Sequence, residues 1–300
     1  MLKGILAGLA AGALWGWVFV APRMTPGLSS VDLTAGRFVS FGVMAALVMA
    51  FTRATHKLPT TAQALAALGM SVLGFSGYYL LLVLAIHRAG TEVPTLIIGT
   101  IPIWVMLLGK PLGLKWATLL PGLVLTAAGL VLMMNVPLGV PQVVPAPSGS
   151  HYWQGIALAI AAAVCWTAFA ILNAAWLKRH PEVNATEWAN WLGIATGVGA
   201  VLLWLVAGSS TNELLALDNI GLIAIICVAT GIGSAWIATI LWNIASQRLS
   251  ASLCGQLIVS ETLFALLYSL VWDGTWPGGL QLLAAVLFTL GILASVRAHR

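Results

Sequence analysis

The sequence predicts an all-α integral membrane protein of ten transmembrane helices, arranged as two inverted five-helix repeats. Three observations carry this. The 300 residues are 60% hydrophobic and only 7% charged, whereas a soluble domain carries about a quarter charged residues, so lipid must solvate much of the chain. About ten stretches reach the roughly 20 apolar residues that a spanning helix needs, near 3–22, 31–52, 63–88, 91–109, 116–136, 153–177, 185–207, 220–246, 251–272 and 279–297. The first and sixth stretches share a pattern: Gly4, Gly8, Gly12 and Gly16 with Trp15 return as Gly155, Ala159, Ala163 and Thr167 with Trp166. A β-barrel is excluded, because barrel strands are about ten residues long and alternate in polarity.

The first stretch has Lys3 ahead of it but no small-x-small cleavage site, only Ala21-Pro22-Arg23, so it reads as a span and not as a leader. Its small residues, four apart, allow close backbone approach between helices, either as fixed packing or as a contact that slides between two states. Arg37 lies inside the second span near its outer end, and Arg88 and Glu92 flank the outer ends of the third and fourth. Snorkelling or mouth-lining suits these three. Tyr78 and Tyr79 stand in the middle of the third span. Pro94 and Pro102 surround Gly99-Thr100 in the fourth, where proline frees carbonyls one turn back.

The repeat continues past the first span. Shifted by 160 positions, Leu84-Ala85 meets Ile244-Ala245, Arg88 meets Arg248 and Trp104 meets Phe264. Residues 1–136 form the first repeat and 153–300 the second, joined by a proline-rich linker over 137–152. Five spans per copy force the second copy to enter the membrane from the opposite side, an architecture typical of secondary transporters.

Lysines and arginines fix the orientation. With the N-terminus inside, Lys3, Arg53, Lys57, Lys110, Lys115, Lys178, Arg179, Arg248, Arg297 and Arg300 fall on the inner side, against Arg23 and Arg88 outside. Both termini are therefore expected in the cytoplasm, on a multi-pass inner-membrane protein. The net charge of +5 serves topology, and no basic stripe suits nucleic acid. Cys165, Cys227 and Cys254 lie within spans at spacings that suit neither disulfides nor zinc, so no metal or other cofactor is expected.

Glu261, near the middle of the ninth span, is the clearest deep charge. Such a carboxylate costs several kcal/mol unless it is paired, hydrated or protonated. It reads as a proton site, a contact for an ammonium group, or a hydrogen-bonded structural acid. Many of the 14 tryptophans suit interfacial belts, among them Trp116, Trp153, Trp176, Trp188, Trp191, Trp272 and Trp276. Trp15, Trp104, Trp166 and Trp236 lie deeper. A buried indole needs a partner for its N–H, and Asn173 and Asn243 share helical faces with Trp166 and Trp236. Gln256 shares a face with Ser260 on the ninth span. The candidate substrate-binding set is Trp15, Trp17, Tyr78, Tyr79, Trp104, Trp166, Asn173, Trp236, Asn243, Gln256 and Glu261: aromatic walls with a few polar groups, which suit a small amphipathic ligand.

An intramembrane protease is the enzyme alternative, because Gly74-Phe75-Ser76-Gly77 is a G-x-S-G string. A serine nucleophile needs a histidine base within hydrogen-bond reach. The nearest candidate, His87, is on the same helix and about 16 Å away along its axis. No enzyme is expected.

The Leu14-Trp15-Gly16 start, the run from Tyr79 to Ala85 through Arg88-Ala89-Gly90 to Pro102, and the run from Leu241-Trp242 to Ala245 through Ser250-Ala251-Ser252 to Glu261 resemble the drug/metabolite transporter superfamily in its ten-helix EamA-like form. Within it, the chain is most similar to the bacterial aromatic amino-acid exporter branch. The family often has proline after the ninth-helix acid, where this chain has Thr262. The resemblance implies a central cavity lined by helices 1, 3, 4, 6, 8 and 9, with helices 5 and 10 peripheral. It also implies alternating-access export of small amphipathic metabolites, aromatic and other neutral amino acids first. The alternative cargo is lipophilic cationic drugs, for which an aromatic cage with Glu261 also suits.

Overall fold

The structure is a computed structural model and describes residues 1–52, 58–90, 92–134 and 149–300. Ten helical spans follow one another: α1 (Leu2–Gly16, prolonged by a 3-10 turn, Trp17–Phe19), α2 (Ser30–Phe51), α3 (Thr61–Ala89), α4 (Glu92–Leu108), α5 (Trp116–Met134), α6 (Ser150–Arg179), α7 (Ala185–Ala207), α8 (Ile220–Arg248), α9 (Ala251–Asp273) and α10 (Gly279–Ala298). Short helices Ala21–Met24 and Thr211–Leu215 lie between spans, and no strand occurs among the described residues. Most of the expected linker, like Arg53, His56 and Lys57, lies outside the described residues; Ser150 already opens α6.

Large apolar side chains face outward along the spans, among them Leu6, Val43, Leu68, Leu120, Leu202 and Leu283. Lipid has to solvate these, as the composition requires. The helix starts are capped from the sequence. Ser29 accepts from Asp32 N, Thr60 pairs with Gln63, Asn184 with Glu187 and Ser210 with Glu213. The backbone N–H and hydroxyl of Ser210 hold the exposed Glu213 carboxyl below the usual range.

Packing is set by small residues. A Cβ on Gly4 would meet Leu249, on Gly8 Leu257, on Gly12 Ser260, and on Gly16 Phe264 and Ala265. The two series rise together, so α1 and α9 run parallel, zipped along their length. Gly42 and Gly197 do the same for α2 and α7, where a Cβ on Gly42 would lie 2.8 Å from Gly197 Cα. The α5–α10 pair closes through Gly122, Gly129 and Gly291 and stands to one side, touching the rest mainly through α9.

Contacts between the repeats obey an inverted two-fold. The α3–α6 contact has its mate in α8–α1, and α1–α9 has its mate in α6–α4. The helix irregularities follow the same relation. α3 is interrupted at Phe75 (φ −131°, ψ −90°), where the ring is held 5.4 Å from Phe169 and 5.9 Å from both Phe38 and Phe41. Shifted by 160 positions, that break falls inside a π-helical stretch of α8, Gly231–Ile237. π-turns of this kind mark functional sites in other helices. α4 is the one unequal member. Pro102 has no N–H for the carbonyl one turn back, and the helix divides at Thr100, whose hydroxyl donates to Ile97 O at 2.6 Å. With Thr262 in place of a second proline, α9 runs unbroken.

Gly42→Ala is expected to destabilise the protein by about 1–3 kcal/mol, because the added carbon meets backbone and not a yielding side chain. Gly69→Ala, with open space around it, should gain about 0.5–1 kcal/mol from helix propensity. Thermal unfolding in detergent measures both; equal effects would show that the α2–α7 crossing is not the tight contact described.

Candidate functional site

The glycine zip positions the site. Gly12 and Gly16 bring α1 so close to α9 that a Cβ on either would lie 3.1 Å from a backbone atom of Glu261. Trp15 stands between these glycines and points to α6 and α8. Its ring centroid is 6.3 Å from Trp166 and 5.4 Å from Trp242, and Trp166 is 6.2 Å from Trp242. Trp242 is buried, whereas Trp15 and Trp166 stay partly exposed. Tyr78 of α3 packs against the apolar core on which these tryptophans also sit. Trp242 Nε1 and Thr167 Oγ1 have no hydrogen-bond partner among the described residues, so the cluster keeps unspent donors.

Glu261 sits where α9 changes character. Ser252 to Ser260 are buried without interruption, and from Glu261 onward the helix is partly or fully exposed. The end of the bundle that carries both termini is closed. There Ser252 donates to Met106 O (2.9 Å) and Gln247 donates to Val183 O (3.1 Å). At the opposite end an exposed Arg23–Asp273 ion pair (3.0 Å) ties the short Ala21–Met24 helix to the end of α9.

A cavity of about 90 Å3 lies on that opposite side, walled by Pro22, Ser30, Thr34, Arg37, Tyr79 and Thr230. Tyr79 donates to Ser30 O at 2.8 Å and stands edge-on to Phe38 at 6.3 Å. Arg37 packs over Phe38 (4.7 Å), and its Nε is buried without a hydrogen-bond partner among the described residues. Tyr78, Tyr79 and Glu261 all lie within electrostatic range of Arg37, and Tyr79 walls the cavity while its neighbour in sequence, Tyr78, packs on the apolar core that holds the tryptophans.

Several of the residues singled out in the sequence lie elsewhere. Asn173 and Asn243 are fully buried and bonded to each other (3.2 Å), to Trp188 Nε1 (2.6 Å) and to Ala185 O (3.3 Å). Their amides hold α6, α7 and α8 together, and neither meets the indole expected for it. Trp236 instead donates to Asn190 Oδ1 at 2.8 Å. Gln256 is buried between α5 and α10, bonded to Thr126 (2.8 Å) and Ser295 (3.1 Å). Trp104 is 49% exposed and donates to Thr100 of its own helix at 3.0 Å, away from the cluster. Trp17 is partly exposed in the 3-10 turn beside the π-helical stretch, 3.7 Å from where a Cβ on Gly233 would stand. Trp188 and Trp191 are not belt residues. They are buried at the termini end, Trp188 stacked 3.7 Å from Trp176. Ser76 of the G-x-S-G string packs on Gly199 of α7.

Trp242 carries no signal of its place here, because helical position alone does not tell which deep indole meets Trp15. Arg37 lines a cavity, which agrees with the mouth-lining of the two roles that its position in the span suits.

The EamA-like transporter family model matches residues 2–135. Inner membrane protein YtfF of Escherichia coli (strain K12) is 31% identical over 310 aligned positions, covering 99% of this chain and 96% of that protein. A solved crystal structure superposes with a TM-score of 0.78 at 21% identity, covering 98% of both chains, a likeness of fold.

Asn173→Leu is expected to strand Trp188 Nε1 and the Asn243 amide, at a cost of about 1–3 kcal/mol for each buried group left unsatisfied. A lowered unfolding temperature in detergent is the readout; an unchanged one would show that the amide pair does not hold these helices.

Proposed function

We propose a cargo and a direction for this chain, which belongs to the EamA-like transporter family and is a multi-pass membrane transporter: export of aromatic and other neutral amino acids by alternating access. The observation that carries the reading is the meeting of Trp15, Trp166 and Trp242 from three helices, two of the rings partly exposed, with Glu261 at the level of Trp15 and Tyr78 on the same apolar core. Indole and phenol faces hold an aromatic ring in edge and offset contacts, and Glu261 offers the ammonium group its counter-charge. Trp17, Tyr79 and Trp236 extend the aromatic wall toward the open end. Asn173, Asn243 and Gln256 are left out of the cargo site, because they are fully buried with their amides bonded within the protein, and Trp104 is left out because it is exposed and in no ring contact with the cluster among the described residues.

Lysine and arginine counts assign the closed, termini-bearing end to the cytoplasm, and the name of the Escherichia coli relative supports an inner-membrane location. The described conformation then faces outward. Export requires its counterpart, in which the seal around Ser252 and the buried amide pair opens and the outer end closes. A lipophilic cation is the competing cargo. Arg37 weighs against it, because a fixed positive charge near the cage repels a ligand that brings only a positive charge.

In liposomes, the purified protein should pass phenylalanine and tryptophan down a gradient, ahead of sugars and of simple amines. Trp15→Ala and Trp166→Ala should each lose about 0.5–1.5 kcal/mol of aromatic binding, a two- to ten-fold rise in half-saturating concentration. Displacement of bound ligand by a lipophilic cation but not by phenylalanine would overturn the amino-acid reading.

A further inference from the structure

We propose that Arg37 receives the carboxylate of the cargo, so that an amino acid is held between two opposite fixed charges, Arg37 on α2 and Glu261 on α9. The inference rests on the amino-acid reading above and adds to it the group that distinguishes an amino acid from an amine.

Four observations carry it. The first is position. Arg37 lies seven residues into α2, about 10 Å from the start of the helix, and lines the cavity at the open end. Val18 also walls that cavity and stands one helical turn beyond Trp15. The cavity is thus the space next to the aromatic cluster along the axis, where the polar end of a ligand with its ring at Trp15 would lie. The second is unmet bonding capacity. A guanidinium carries five donors in a planar fork. The Nε of Arg37 is buried without an acceptor, and no ion pair of Arg37 occurs among the described residues. A carboxylate accepts two parallel bonds from such a fork.

The third is the company Arg37 keeps. Tyr78, Tyr79, Glu261 and Cys227 lie within electrostatic range of it. Asp32, the nearest acid along its own helix, is already bonded to Ser29 (2.6 Å) and to Ser209 (2.7 and 3.0 Å). The acid whose charge reaches Arg37 is Glu261, which stands on α9 against Gly12 and Gly16, outside the cavity wall, and no ion pair joins the two among the described residues. A zwitterion satisfies both at once, its carboxylate toward Arg37 and its ammonium toward Glu261.

The fourth is broken symmetry. Aligning the repeats on the Gly42–Gly197 crossing sets Arg37 against Leu192, and the 160-position shift sets Glu261 against Ile101. The second copy of each structural position is apolar and buried. The fold is therefore built at these positions without a charge, and a charge held in a membrane span marks a functional site.

The test compares three ligands by binding to purified protein: phenylalanine, the amine that lacks its carboxylate (2-phenylethylamine), and the acid that lacks its ammonium (3-phenylpropanoate). Arg37→Gln should weaken phenylalanine and the acid at least tenfold and bind the amine at least as tightly as the wild-type protein does, because the charge that repels an ammonium is gone. Glu261→Gln should give the reverse, with the amine and phenylalanine weakened and the acid bound at least as tightly as by the wild-type protein. Arg37→Lys keeps the charge without the fork and should fall between Arg37→Gln and wild type for the acid. An equal loss for all three ligands in Arg37→Gln would overturn the proposal, because a merely structural arginine affects every ligand alike. If Arg37→Gln does not fold, the wild-type protein decides. Phenylalanine methyl ester should then bind at least tenfold more weakly than phenylalanine, and equal binding would overturn the carboxylate site. A wild-type protein that binds the amine but not phenylalanine instead overturns the amino-acid reading, and the proposal with it.

Discussion

Backbone contact through glycine is the constraint on which the rest of this structure depends. Within a bilayer, association of helices gains nothing from removing apolar surface from water, so packing and hydrogen bonds must supply it. Gly4, Gly8, Gly12 and Gly16 allow α1 to lie against α9 along its length, and Gly42 and Gly197 allow α2 to cross α7 at backbone distance. Everything in the site follows from the first of these. Only because Gly12 and Gly16 touch the Glu261 backbone do Trp15 and Glu261 stand at one level, with Trp166 and Trp242 within 6.3 Å of Trp15.

The polar groups divide by the end of the molecule they occupy. Toward the termini, buried amides and hydroxyls are bonded to one another: Asn173 with Asn243 and Trp188, Gln256 with Thr126 and Ser295, Ser252 with Met106. A buried polar group costs little when satisfied and much when stranded, so these bonds favour the packed arrangement of this end, although Ser246 Oγ and His299 Nε2 there have no hydrogen-bond partner among the described residues. Toward the other end, Arg37 Nε lacks an acceptor and α9 opens from Glu261 onward. The same types of residue seal one side and leave the other receptive.

The fold was legible in the sequence because its signals are long-range and redundant. Apolar runs of spanning length gave the ten helices to within a few residues, and the glycine series named its own packing face. The division of α4 at Thr100 and the unbroken α9 both follow from single residues, Pro102 and Thr262. The site was legible only in part. Trp15, Trp166, Tyr78 and Glu261 could be singled out by depth and charge. Depth does not reveal direction, and a residue in mid-membrane faces lipid, a neighbouring helix or a cavity according to rotation about the helix axis. Trp104 turned to the surface, and Asn173, Asn243 and Gln256 turned to neighbouring helices. Their partners, Trp188, Ala185 and Thr126, are remote from them in sequence or on another helix, and nothing in the periodicity points across that gap.

The pattern of contacts also shows how the repeats hold each other. α1 belongs by sequence to the first repeat, yet it is clamped to α8 and α9 of the second; α6 belongs to the second and is clamped to α3 and α4 of the first. Each repeat has lent its opening helix to the other. The two repeats are therefore interlocked, each with one borrowed finger, and α2 on α7 and α4 on α9 add further grips, so severing the chain between the repeats would leave them clasped.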